Sequence, residues 1–224
     1  MARKGEIYKE NKMHICVEKR IQRRLAAPIE NLWENRIIKV QFLGGIPRQK
    51  KLVMKYAQEW MEYANIEFEF TVLPGIIRVS FKEGQGSWSY VGKEALQINN
   101  KQPTVNFGWL TKDVEEEEAR RVILHEFGHV LGMTHEHKSP ASSIPWNKKA
   151  VYDFYKGPPN FWDKETVDTN LFNVYQGEMT NSEYDPKSIM HYPIPNELTI
   201  GDYSVGWNDN LSNQDKEFIG KIYP

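Results

Sequence analysis

From Arg48 to Ala64 the apolar residues Val53, Tyr56, Ala57, Trp60, Met61 and Ala64 recur at helical intervals, and most positions between them are polar. That spacing gathers one apolar stripe on one side of a helix and predicts a helix over 48–64. In the flanking segments the period changes to two. IIKVQF (37–42), IEFEFTV (66–72) and IIRVSF (76–81) read as strands, the last two separated by Pro74-Gly75. Between 84 and 110, GQGSWSYVG and PTVNFGWL are rich in glycine and aromatic residues and predict short or edge strands.

A long helix is expected from Asp113 to Leu131. Glu115 to Glu118 fall in its first turns, where negative charge meets the positive end of the helix dipole. Gly132 is placed to end it, since glycine takes the left-handed conformation at little cost. Beyond, the pattern loosens: 139–210 is dominated by Pro, Asn, Gly and aromatic residues, with short helices expected near 147–155 and 163–171. The run S-N-Q-D at 212–215 reads as a capping box that opens a last helix reaching about Tyr223. The reading is α+β. An N-terminal arm or pro-segment (1–32) precedes an N-terminal lobe (33–132) and a largely irregular C-terminal lobe (133–224).

The chain has 224 residues, enough to bury a real core in one large domain or two small lobes. Its formal net charge of −1 gives no general pull toward nucleic acid or an anionic membrane. The basic run of Lys19, Arg20, Arg23 and Arg24 is short and reads as a solvated face. No apolar run approaches the length of a membrane span. The start, MARKGEIYKENKMHICVEK, is positive but lacks the apolar stretch of a signal peptide, so either a leader has been removed or export takes another route. Cys16 is the single cysteine, which excludes an intrachain disulfide and leaves the compartment open.

Four of the six histidines lie in HEFGHVLGMTHEH, 125–137. On a helix His125 and His129 project about 40° apart, one turn above the other, while Ala119, Ile123, Phe127 and Val130 form the opposite, packing face. Two imidazoles so placed can share one metal ion, and Gly132 lets the chain return with His135 as a third ligand. Glu126 then lies beside the metal, where a general base for a metal-activated water belongs. Three protein ligands and an open position are the coordination of catalytic zinc; one cysteine is too few for a Cys-rich structural site. HExxH alone arises readily by chance, whereas the full HExxHxxGxxH has a chance frequency of roughly two in 100,000 for such a chain. The rival arrangement, with a glutamate ligand some twenty residues downstream, fails because that stretch holds Lys148 and Lys149 and no acid. A methionine turn should follow this motif, and in YDPKSIMHYP (184–193) Met190 supplies it, as an apolar floor under the imidazoles.

With SIMHYP, the segment GSWSYVG (86–92) and the closing LSNQDKEFIGKIYP, the motif resembles the astacin-like metzincin peptidases, particularly their disulfide-poor microbial members. The likeness spans roughly Trp33 to Pro224. Serralysins would carry Gly-Asp-rich repeats, which are absent here, and matrixins would show a different pattern after Met190. The resemblance implies a metzincin fold: a twisted, mainly parallel sheet with a backing helix and an active-site helix, then an irregular lobe ending in a helix. It implies a secreted zinc endopeptidase acting on proteins or peptides, a monomer with no nucleic-acid partner and no membrane span. It implies that His125, His129 and His135 bind Zn2+ and that Glu126 is the base. Tyr192 would ligate zinc at rest and swing away to stabilise the oxyanion. Trp88, Ser89 and Tyr90 would pair with an extended substrate, and Glu136 would receive a freed N-terminus. The segment KSPASSIPWN after the third histidine lacks the Arg and Asp residues of animal astacins.

Two other readings stay open. A zinc-bearing binding module without catalysis usually shows loss of the glutamate or of a ligand, and neither is lost here. Alternatively the arm, through His14 or Cys16, occupies the zinc as a latency segment, since a thiolate is an excellent zinc ligand. Otherwise Cys16 is an inert cysteine. His137 receives no role.

Overall fold

The computed structural model describes residues 15–16, 31–158, 160–174 and 183–224. His14 and the basic run from Lys19 to Arg24 lie outside them. Five strands, β1 (Ile37–Phe42), β2 (Glu67–Thr71), β3 (Ile77–Ser80), β4 (Ser87–Ser89) and β5 (Val105–Phe107), form one sheet in the order β2-β1-β3-β5-β4. The pairings β1–β2, β1–β3 and β3–β5 are parallel, and β4 runs antiparallel to β5 at the edge. Parallel neighbours need a crossover, and helix α1 (Pro47–Ala57) supplies the one from β1 to β2. The two strands flanking Pro74-Gly75 are not partners, because β1 lies between them. The connecting segment passes so close to β1 that a Cβ on Gly75 would lie 2.9 Å from both Lys39 O and Gln41 N.

The helix expected to Ala64 is α-helical only to Ala57 and tightens into a 3₁₀ turn over Gln58–Glu62. Such tightening is common at helix ends. It leaves Trp60 fully buried, with its Nε1 donating to Leu124 O at 3.0 Å. Leu124 belongs to α2 (Glu116–Val130), the long helix predicted from the sequence. Its Phe127 meets Phe68 of β2 edge-on at 4.9 Å and lies parallel to Phe107 of β5 at 6.4 Å, so α2 spans the sheet. Ala119, Ile123, Phe127 and Val130 are all fully buried, as the helical spacing predicts.

In the C-terminal lobe, Asn147 caps α3 (Lys148–Lys156) and Asp163 caps the short α4 (Lys164–Val167), which winds on as a π turn to Phe172. The last helix, α5 (Asn213–Ile222), opens on the capping box of Ser212 and Asp215. Beyond it Tyr223 donates to Leu131 O at 2.7 Å, and Trp33 Nε1 donates to Val130 O at 2.7 Å. Both bonds satisfy carbonyls at the end of α2 that have no partner within the helix.

The apolar residues form two cores. The first joins Val40, Val53, Trp60, Val79, Phe107 and Phe127 with Ile189 and Met190. The second joins Val151, Tyr155, Val167, Leu171, Leu198 and Val205 with Tyr192 and Ile194, and includes Ile15 and Cys16. The chain thus leaves one core at Met190 and enters the other at Tyr192.

Candidate metal centre

Gly132 has φ of +93°, and the amides of Gly132 and Met133 bond back to His129 O and Gly128 O, which ends α2 in a left-handed cap. This reversal returns His135 to the face that carries His125 and His129. The ring centroids of the three are 4.6 to 5.2 Å apart. His125 Nδ1 lies 2.8 Å from Ile189 O and His129 Nδ1 lies 2.9 Å from Met133 O. A carbonyl can only accept, so both Nδ1 atoms carry the hydrogen and both Nε2 atoms present a lone pair. His125 Nε2 is buried without a hydrogen-bond partner, and His129 Nε2 lies 3.1 Å from His135 Nε2. Burial, reinforced by the neighbouring imidazoles, holds His125 and His135 well below the ordinary histidine pKa. Neutral imidazoles whose nitrogens converge on one point are the donor set that zinc takes.

Cys16 brings a fourth donor atom to the cluster. Its Sγ and one ligand atom from each of His125, His129 and His135 lie within 4.8 Å of one another. The Cys16 thiol also donates to Glu126 Oε2 at 3.4 Å. Glu126 is fully buried, Oε1 has no hydrogen-bond partner, and burial pushes its pKa up to about 8 against the opposing thiol bond. Tyr192 stands beside the cluster, its ring 4.4 Å from that of His135 and 6.5 Å from that of His125. Its hydroxyl donates to the Cys16 carbonyl.

Met190 is 1% exposed and lies directly under α2. Gly128 makes room for it: a Cβ there would collide with Met190 Sδ and sit 3.3 Å from Trp60 Cζ2. The motif glycine that matters for the floor is therefore Gly128, which spacing alone did not single out. The methionine turn is fixed from α5. Asp215 accepts from Ser188 Oγ at 2.7 Å, Ile189 N at 2.8 Å and Ser212 N at 2.9 Å. Because Ile189 O is the partner of His125 Nδ1, the cap of the last helix orients a residue of the cluster.

His137, given no role from the sequence, is 1% exposed, and its ring stacks on Tyr192 at 4.2 Å and 29°. A 3₁₀ turn over Glu136–Lys138 puts it on the same side as His135, a placement helical periodicity does not encode. Its Nε2 meets Asn170 O at 2.8 Å. His191 is buried, its pKa pushed down to about 4 by desolvation. It joins Tyr184 through Nε2 at 2.7 Å and Tyr192 O through Nδ1 at 2.6 Å. Glu136, whose pKa burial raises to about 8, accepts from Asp185 N at 2.9 Å; the chain's N-terminus lies outside the described residues. Trp88 and Ser89 are buried and Tyr90 is half-buried, on or next to the edge strand β4.

The chain matches the Astacin peptidase family over residues 26–223. A solved structure of myroilysin is 46% identical, covers 87% of this chain and 96% of its own, and superposes with a TM-score of 0.85. A crystal structure of myroilysin is 42% identical, covers 95% and 91%, and gives a TM-score of 0.70. High choriolytic enzyme 1, a hatching enzyme zinc-protease from Oryzias latipes, is 18% identical with a TM-score of 0.59 over 87% and 90% of the two chains, a likeness of fold. Zinc metalloproteinase nas-38 of Caenorhabditis elegans is 26% identical over 178 residues, 78% of this chain and 22% of that protein. The chain thus spans about a fifth of the curated relative. The buried three-histidine cluster on a mainly parallel five-stranded scaffold and the match over nearly the whole chain agree: the protein belongs to the astacin family of zinc metallopeptidases.

Proposed function

We propose that the protein is a zinc endopeptidase that hydrolyses peptide bonds in proteins, with Glu126 as general base. The observation that carries this reading is the buried convergence of three imidazole edges beside the unpartnered Oε1 of Glu126. His125, His129 and His135 would hold the zinc, which when bound supplies Lewis-acid polarisation and makes water a nucleophile at neutral pH. Glu126 takes the proton of the attacking water on its carboxylate and gives it to the leaving amine nitrogen. Tyr192 donates its hydroxyl to the carbonyl oxygen as charge develops there. Edge strand β4, with Trp88, Ser89 and Tyr90, aligns the peptide by strand addition. Met190 and Gly128 keep the floor apolar and dry. The reading extends to an N-terminal arm over 1–32, a catalytic domain over 33–224, a monomeric state and action outside the cell. Among the described residues no helix is long and apolar enough to cross a membrane.

A second reading concerns regulation, and the placement of Cys16 favours it. The arm engages three groups at once: the thiol fills the fourth place and bonds Glu126, and the Cys16 carbonyl holds the Tyr192 hydroxyl. This is the arrangement of a latent form, with the open position of a catalytic site closed from within the chain. The test uses full-length Cys16→Ala loaded with one zinc. It should cleave casein, and adding Glu126→Ala should abolish cleavage while zinc stays bound. Full activity of the Glu126→Ala protein would refute the base assignment. Bound zinc without cleavage in Cys16→Ala would favour a catalytically silent binding module.

A further inference from the structure

The bonds around His191 form a directed chain. Tyr203 Oη lies 2.6 Å from Tyr184 Oη, Tyr184 Oη lies 2.7 Å from His191 Nε2, and His191 Nδ1 lies 2.6 Å from Tyr192 O. The last acceptor is a carbonyl, so His191 Nδ1 must donate; the Nε2 of a neutral imidazole then accepts from Tyr184, whose oxygen accepts from Tyr203. Every hydrogen in the chain is thereby assigned, and the chain ends on the main chain of the residue whose side chain faces the cluster.

The ring of Tyr192 is held differently. It lies against His137 at 4.2 Å and 29°, and His137 is itself tied to Asn170 O. Offset stacking of aromatic rings tolerates displacement within the ring plane. The hydrogen bond from His191, by contrast, is directional and opposes movement of the Tyr192 peptide. We propose that Tyr184 and His191 are positioning residues that pin the main chain of Tyr192, so that the side chain alone moves across His137 during peptide hydrolysis. The inference rests on the role given to Tyr192 under Proposed function. Loss of the pin would leave the hydroxyl present but badly aimed, and misplacement of about an ångström can cost up to about a hundredfold in rate.

The test is a double-mutant cycle in full-length, zinc-loaded Cys16→Ala. Tyr184→Phe removes the donor to His191 and the acceptor for Tyr203 while keeping the ring. It should lower kcat about tenfold with KM and zinc content unchanged. In a Tyr192→Phe background the same substitution should cost nothing further, because no hydroxyl remains to be aimed. An equal loss in both backgrounds, or an unchanged kcat after Tyr184→Phe, would overturn the inference. An unchanged kcat after Tyr192→Phe alone would overturn the role of that tyrosine first and this inference with it. Should Tyr184→Phe fail to fold, Tyr203→Phe carries the same cycle, with an expected loss of about threefold.

Discussion

The Cys16 thiol donates to Glu126 Oε2 across 3.4 Å, joining groups 110 residues apart in a site closed to solvent. One hydrogen bond thus ties the proposed base to the arm. Removing the thiol frees both the carboxylate oxygen and the fourth place in the cluster. Full-length Cys16→Ala should therefore cleave casein at least about tenfold faster than the parent at equal zinc content. Equal rates for the two proteins would dismiss the latent reading and leave the peptidase reading standing.

Gly128→Ala should reverse its usual sign. In a helix interior alanine is favoured over glycine by about 1 kcal/mol. Here the added methyl meets Met190 Sδ, with Met190 Cε at 3.2 Å and Trp60 Cζ2 at 3.3 Å, in a packed core. Overpacking of this kind costs about 1–3 kcal/mol. Thermal denaturation of the metal-free protein should show a lower Tm, and Met190→Ala added to it should cost less than Met190→Ala alone.

Asp215→Asn should weaken metal binding from a distance. The carboxylate accepts from Ser188, Ile189 and Ser212 through two oxygens, whereas an amide keeps one acceptor oxygen and turns an NH2 toward a group that now donates, either the Ser188 hydroxyl or the two backbone amides. The turn loosens, and with it the Ile189 carbonyl that orients His125. Loss of such supporting bonds typically costs about 10–100-fold in metal affinity. Competition with a chromophoric chelator measures this directly; an unchanged zinc affinity would show that Asp215 only caps α5.

His191 makes the fold sensitive to mild acid. Its folded pKa is depressed from 6.5 to about 4 by burial. The folded chain then binds fewer protons than the unfolded chain between those values, so this contribution is complete above about pH 6.5 and is lost as pH falls toward 4. The full loss is about 3 kcal/mol. His191→Gln, which cannot titrate, should flatten the dependence of Tm on pH in that window.

Much of this architecture is local information. The stripe on α1, the glutamate-rich start of α2, the turn at Gly132 and the capping box at Ser212 all depend on residues within a few positions of one another. The spacing of His125, Glu126, His129 and His135 belongs to the same class, and so the cluster was readable. Contacts made across the fold were not. Nothing in the period of β2 and β3 says that β1 lies between them. His137 follows the last motif histidine by two residues, but its burial against Tyr192 depends on a 3₁₀ turn and on a segment 55 residues away. The thiol chemistry of Cys16 was legible as one of two options; its approach to Glu126 required the folded chain.

Met190 and Tyr192 are two residues apart, yet each is packed into a different core. The His191 between them is thus a seam where two independently packed bodies are stitched together. The two cores meet across that single residue, and the hydrogen bond from His191 to Tyr192 O holds the crossing in place. The floor under the histidines is packed with the sheet and α2, while the tyrosine is packed with the second lobe. A substitution that disturbs the packing of either core therefore changes the spacing between the floor and the tyrosine.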